Sequence, residues 1–257
     1  MKVNQIVRVM VAALAGLSLW AQSADVKQPK PKTQKEVDAI NAVFGAQDPD
    51  SRIAAVENLL TKFADTEFKS IALYIATASA EQKNDYEKVM IFGQRAIDAD
   101  PKSYAAMLMM ARGTAMRTRE FDLDKDEKLQ KAGKLADDAL KLLENAPKPR
   151  PDLTDEQWND AKKDFQSQGY EAKGMMAVVL KKYDEGIAQM QKALELQDKK
   201  DSSTMARLAS IYTDAGKYDE AIALCDQIAA LPDAPAQIKQ IASQTKLKAS
   251  TAKAQKK

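Results

Sequence analysis

Two stretches that begin 35 residues apart decide the reading: "KYDEGIAQMQKALELQ", Lys182 to Gln197, and "KYDEAIALCDQIAALP", Lys217 to Pro232. Lys, Tyr, Asp and Glu match at the start, and Ile187 and Ala188 match Ile222 and Ala223. Leu196 matches Leu231, and Gly186 stands opposite Ala221. Apolar residues fall at helical spacing in both. A glycine inside a helix costs about 1 kcal/mol relative to alanine. A small residue at the same place in both copies therefore points to a close approach between helices.

Two earlier segments carry the same outline. "DYEKVMIFGQRAIDADP" places Tyr86, Val89, Ala96 and Pro101 at the corresponding offsets, and "LQKAGKLADDALKLLENAP" does so with Ala132, Ala136 and Ala139. Each segment follows a helix with a small residue at a fixed distance upstream: Thr77, Ala111, Gly174 and Ala209. A 34-residue helix–turn–helix unit, small at its eighth, twentieth and twenty-seventh positions, resembles the tetratricopeptide repeat (TPR). In the unit 167–201 the matches are Tyr170, Gly174, Tyr183, Gly186, Met190 and Ala193. In 202–235 they are Leu208, Ala209, Tyr212, Ala221, Cys225 and Pro232. The unit 70–103 matches through Thr77, Tyr86, Ala96 and Pro101. The unit 104–146 matches at Ala111 and Ala139 but carries the insertion "TREFDLDKDEK". Residues 49–69 look like a degenerate repeat.

Long runs without Gly or Pro, and few alternating strand-like segments, make the fold class all-α with about eleven helices. Candidate N-caps are Ser51, Ser103, Thr154 and Ser202, with Thr154 and Gln157 forming a capping box. The resemblance implies a right-handed α-solenoid of antiparallel helix pairs. A repeat domain is expected over 36–250, closed by a capping helix at 236–250 with Ile238, Ile241 and Leu247 on one face. Residues 24–35 read as a flexible Pro- and Lys-rich linker and 251–257 as a disordered tail.

The first residues obey different rules. Lys2 and Arg8 precede an apolar run from Val9 to Ala21 that ends in small and polar residues. This is the pattern of a secretory signal peptide, assigned to residues 1–23; the alternative is an uncleaved anchor. The expected location is periplasmic or extracellular. Without that segment, 37 basic residues face 37 acidic ones, which leaves no broad field for nucleic acid or an anionic membrane. Cys225 is the one cysteine, so the chain forms no internal disulfide. The sequence contains no histidine, the commonest general base and metal ligand.

Candidate sites are weighed against plain packing. Nine methionines beyond residue 23 could hold a soft metal or an apolar peptide, but they read first as gap-fillers, with Met90 and Met190 expected in the core. Cys225 reads as a buried small hydrophobe. Asp122 to Glu127, "DLDKDE", lacks the glycine and glutamate of a calcium loop and reads as a polar insertion that starts a helix. "APKPRPDLT" reads as a stiff spacer before a long helix from Asp155 to about Lys181, with Trp158 as an interface anchor or a core residue.

The resemblance implies that partners bind in a concave groove lined by the first helix of each unit. By position that groove would hold Tyr74, Leu108, Arg112, Met116, Glu171, Met175, Val178, Val179 and Ser210, with Ala78, Ala115, Ala206 and Thr213 beside them. The cations of a carboxylate-clamp groove are missing, Arg112 being the one clear cation, so a hydrophobic helix or extended segment is the expected ligand. The expectation is a non-catalytic interaction scaffold that binds a protein or peptide. It has no cofactor or metal, no small-molecule substrate and no nucleic acid, and no membrane insertion beyond an uncleaved anchor. The alternatives are an assembly or chaperone-like factor that holds clients, and an enzyme built without histidine.

Overall fold

The computed structural model describes residues 29–150 and 152–256. The signal-peptide assignment and most of the linker lie outside these residues. Among the described residues there are eleven helices and no strand. They are α1 (Gln34–Gly45), α2 (Pro49–Lys62), α3 (Lys69–Gln82), α4 (Tyr86–Ala99), α5 (Tyr104–Arg117) and α6 (Lys125–Glu144). The remainder are α7 (Asp155–Val179), α8 (Tyr183–Glu195), α9 (Ser202–Asp214), α10 (Tyr218–Ala230) and α11 (Ala236–Gln255).

The chain divides into two compact units. One comprises the chain up to Gly113 together with Lys141–Lys162; the other comprises Thr114–Leu140 and the chain from Lys163 onward. In the first, α1 packs on α2, α2 on α3 and α3 on α4, around Val43, Val56, Leu59, Leu73, Val89 and Phe92. In the second, α8 packs on α9, α9 on α10 and α10 on α11. There α9 also reaches α11, two helices ahead, around Met190, Met205, Leu208, Ile211, Cys225 and Ile228. A helix that meets both its neighbour and its counterpart in the next pair is the packing of stacked helix pairs.

The small positions lie inside. Thr77, Ala96, Ala111, Ala139, Gly174, Gly186, Ala193, Ala209 and Ala221 are all buried. Gly174 and Gly186 approach each other closely. A Cβ on Gly186 would stand 3.3 Å from the Gly174 carbonyl oxygen, and one on Gly174 would stand 3.2 Å from that of Gly186 and 2.9 Å from Met190 Cγ. At the equivalent positions of the next unit, Ala209 and Ala221 carry a methyl each and are fully buried.

Three helix-to-helix turns share one geometry. Asn84, Lys181 and Gly216 each occupy the fifteenth position of their units and each has positive φ, 57°, 59° and 74°. The following N–H donates five residues back in every case: Asp85 to Ala80, Lys182 to Ala177, and Lys217 to Tyr212. The left-handed residue itself donates three back, to Glu81, Val178 and Thr213. This is the Schellman closure, which satisfies the last carbonyls of one helix and aims the chain into the next.

Several expectations are corrected. The N-cap of α2 is Asp48, with Pro49 after it, and the expected Ser51 is instead the residue whose N–H it caps; that of α9 is Asp201 in place of Ser202, its carboxylate accepting from Thr204 N at 2.9 Å. Thr154 and Gln157 do form the reciprocal capping box, at 3.1 and 3.0 Å. The linker is already pinned at its end: Thr33 caps α1, Lys30 N donates to Glu67, and Lys32 pairs with Asp65. The tail is helical as far as Gln255, because Lys253 pairs with Asp219 and Lys256 lies over the Tyr218 ring. On α11 the buried residues are Ala242 and Ala249, whereas Ile241 and Leu247 are exposed. Met90 is 38% exposed, since α4 turns Val89, Phe92 and Ala96 inward instead. Met190 is fully buried, as expected.

Trp158 is buried, and its Nε1 donates to Ala146 O at 3.0 Å, so it closes the Pro-rich spacer onto α7. Asp122 accepts from Arg119 N, and α6 opens three residues later with Asp126 and Glu127 in its first turn, where acids complement the helix dipole.

Candidate functional site

The first helices of consecutive pairs are joined in each unit by an ion pair that encloses its acid. In the first unit, Arg112 on α5 donates through Nη2 to Glu81 on α3 at 2.6 Å and through Nε at 3.2 Å. Residues 74, 78 and 81 share one face of α3, and 104, 108 and 112 share one face of α5, by helical spacing. The pair brings these faces side by side. Burial, with the nearby Glu81 charge, pushes the Tyr74 phenol up to about 12, and burial beside Tyr74 and Asp100 raises Tyr104 as well. Both therefore stay neutral and able to donate at any ordinary pH.

In the second unit, Arg207 on α9 donates to Glu171 on α7 at 2.5 Å. Residues 171, 175 and 178 form one face of α7, and 207 and 210 one face of α9. Met175, Val178 and Val179 are half-buried there, and Ser210 is exposed. In both pairs the carboxylate, buried at Glu171 and half-buried at Glu81, is matched by a guanidinium that leaves no charge surplus.

The residues expected in the groove therefore divide. Met116 and Ser210 present open surface; Tyr74, Arg112, Met175, Val178 and Val179 are half-buried. Leu108 is 1% exposed and belongs to the interior, and Glu171 is buried beneath Arg207. Ala78, Ala115, Ala206 and Thr213 are buried too. The one cation anticipated, Arg112, is already engaged by Glu81. Sequence reading missed Glu81, Tyr104 and Arg207. The signal was present as opposite charges near one repeat length apart, 31 residues for one pair and 36 for the other.

The same signal runs along other surfaces. Lys83 pairs with Asp50, Lys217 with Asp184, Lys248 with Asp214, Lys253 with Asp219 and Lys173 with Asp137, all separated by 33 to 36 residues. Each ties residues about one repeat length apart: Lys217 and Lys248 join equivalent helices of successive pairs, α10 to α8 and α11 to α9, and the others join neighbouring helices.

Cys225 is buried, and that burial, with Asp226 beside it, pushes its thiol up against the opposing effect of Lys246. A thiol so placed stays protonated. Among the described residues no three His, Cys, Asp or Glu side chains are grouped to hold a metal ion, and no helix is long and apolar enough to cross a membrane.

The helix-pair arrangement matches solved structures. TTC0263, a thermophilic TPR protein of Thermus thermophilus, aligns with a TM-score of 0.56 at 15% identity, covering 83% of this chain and 96% of that one. The fold is TPR-like. A MamA RS-1 ArsTM double mutant aligns at 14% identity over 88% of this chain and 98% of that one, with a TM-score of 0.45. No family model matches the sequence, and no curated protein matches it.

Proposed function

We propose that this chain is an exported, non-catalytic scaffold of the cell envelope that binds a protein segment along its first-helix faces. The observation that carries this is the arrangement around Glu171 and Arg207. The ion pair neutralises the polar ground between α7 and α9, and Met175, Val178 and Val179 flank it half-exposed, with Ser210 open beside them. Such a face offers apolar contact and hydroxyl hydrogen bonds without net charge, which suits a hydrophobic helix or extended segment. Export rests on the charged, apolar and small-residue succession of residues 1–23.

A photo-crosslinking residue at Ser210 should capture the partner from envelope extract, whereas the same group at Ala188, exposed on the second helix α8, should not. Equal capture at both places, or at Ala188 alone, removes the groove assignment. For export, the mature chain should begin near Ala24; a chain that retains Met1 at the membrane contradicts cleavage.

A further inference from the structure

The last helix is held differently from the helices it closes. α9 buries Met205, Leu208 and Ile211, and α10 buries Cys225 and Ile228. On α11 the two buried residues are Ala242 and Ala249. Of its three large apolar side chains, Ile241 and Leu247 are exposed and Ile238 packs half-buried against the shared core. Hydrophobic stabilisation follows the apolar area removed from water, so two methyls and part of one isoleucine supply little of it. α11 also begins on Pro235, with no side-chain hydrogen bond to its first N–H groups, so it lacks the stabilisation of an N-cap.

Charge makes up the difference. α11 contains no acid, and three of its lysines reach back onto the preceding pair. Lys246 pairs with Asp226 at 2.5 Å, Lys248 with Asp214 at 2.7 Å, and Lys253 with Asp219. Every side chain in these pairs is at least a third exposed, so salt screens all three together. Beneath the helix lies a thiol. Cys225 is 1% exposed and shares one core with Ile228, Leu208 and Ile211 and with Ala242 and Ile238 of α11, and Lys246 lies near enough to act on it. The linker into α11 is fixed separately, because Lys199 pairs with Asp233.

We infer that α11 is a salt-released strap: screening of its three lysine–aspartate pairs lets it swing off α9 and α10 about the linker at Asp233, while the helices before it stay folded. Release uncovers the apolar face that holds Leu208, Ile211, Cys225 and Ile228, and frees Asp214, Asp219 and Asp226. A terminal helix with few buried apolar contacts is the kind of element that opens below the free energy of global unfolding. The solenoid thus carries at its end a covered face that ionic conditions expose without loss of the fold. The strap does not depend on the partner-binding assignment.

Alkylation of Cys225 in the full chain tests it. Cys225 is the one cysteine, and iodoacetamide is uncharged, so salt does not alter the encounter. Each rate is divided by that of the chain unfolded in urea at the same salt concentration. Between about 0.1 M and about 1 M sodium chloride the Debye length falls from about 10 to about 3 Å, and protection of the thiol should drop roughly tenfold. Hydrogen exchange should show the α11 amides losing protection by the same factor while those of α8 keep theirs. A chain with Lys246→Gln, Lys248→Gln and Lys253→Gln should react at low salt as fast as the parent at high salt, and respond no further. Lys173→Gln, which breaks an ion pair of the same kind between α7 and α6, should behave as the parent. Alkylation indifferent to salt, a triple variant that stays protected, or a Lys173→Gln chain that opens like it overturns the proposal. So does equal loss of protection in α8, since the opening is then global.

Discussion

The Lys217 ammonium donates to Asp184 at 2.8 Å, so the first residue of the second "KYDE" reaches the third residue of the first. Lys253 makes the same contact to Asp219, one unit later. The repeated tetrapeptide is thus a joint. The Lys217 backbone closes the turn after α9 and caps α10, while its side chain ties α10 to α8. Asp184 and Asp219 stand in the first turns of their helices, where an acid is favoured by the dipole. Both partners are largely exposed, so each contact is weak and screened. A double-mutant cycle on Lys217→Ala and Asp184→Ala should give a small favourable coupling at low ionic strength that disappears at high salt. Coupling that is indifferent to salt contradicts the electrostatic account.

The pair Gly174 and Gly186 predicts a graded response. Gly186→Ala places a methyl 3.2 Å from Val178 Cγ2 and 3.3 Å from the Gly174 oxygen, a tight fit offset by alanine's gain in helix propensity. Its stability should lie within about 1 kcal/mol of the parent. Gly186→Leu has nowhere to go and should cost about 1–3 kcal/mol. Gly174→Ala should be worse than Gly186→Ala, because its methyl falls 2.9 Å from Met190 Cγ, on a side chain that is fully buried. Chemical denaturation measures all three. Equal midpoints for the leucine and alanine variants at 186 would remove the close approach as the reason for glycine.

The shared left-handed turn predicts opposite signs at two homologous sites. Gly216→Ala forces a Cβ into positive φ, a penalty of about 1–2 kcal/mol, partly offset by a stiffer unfolded chain. The nearest atom to that Cβ is the mobile tip of Lys256, so the penalty is one of backbone conformation. Lys181→Gly relieves the same strain and should stabilise, although it also gives up the pair with Glu120. A Lys181→Ala control separates the two effects: it loses the pair and keeps the strain, so it should be the least stable of the three at this position.

The ion pair between α7 and α9 is asymmetric. Glu171 is nearly enclosed, whereas Arg207 keeps over a third of its side chain in water. Removing the arginine strands a buried carboxylate, and Arg207→Ala should cost about 2–3 kcal/mol, below the cost for a fully buried pair. Removing the acid leaves a cation that solvent can reach, so Glu171→Ala should cost less. Denaturation midpoints decide it, and a larger loss for Glu171→Ala contradicts the asymmetry.

How much of this was legible in the sequence follows from which forces leave local marks. Small residues at fixed spacing, helical periodicity and the Thr154 box act within a turn or two, and they announced the paired helices. Contacts between repeats leave a mark only at separations near the repeat length. Glu81 with Arg112, and Lys217 with Asp184, became visible once the units were stacked. On α11 the apolar residues misled, because alanines at 242 and 249 let the helix lie close and left the larger Ile241 and Leu247 outside. For the groove, residue spacing placed the first-helix faces but could not weigh burial, so Leu108 and Glu171 looked available when packing had already enclosed them.

The α3–α5 face predicts a response to alkali. The Tyr74 phenol is pushed up to about 12 from an ordinary 10, first by burial and then by the Glu81 charge. Its neutral form is the one the fold favours. The stabilising contribution is therefore complete below pH 10 and is lost as pH rises through about 12. Tyr104 is raised in the same direction and loses its contribution on the same side. Lys217, held above 10.5 by Asp184, adds to the alkaline loss in the same sense. Spectrophotometric titration should show part of the tyrosine absorbance delayed until the helices unfold. Tyr74→Phe should remove part of the delayed absorbance and flatten the fall in stability between pH 10 and 12. If Tyr74→Phe leaves both curves unchanged, the phenol is not enclosed as the α3–α5 face requires.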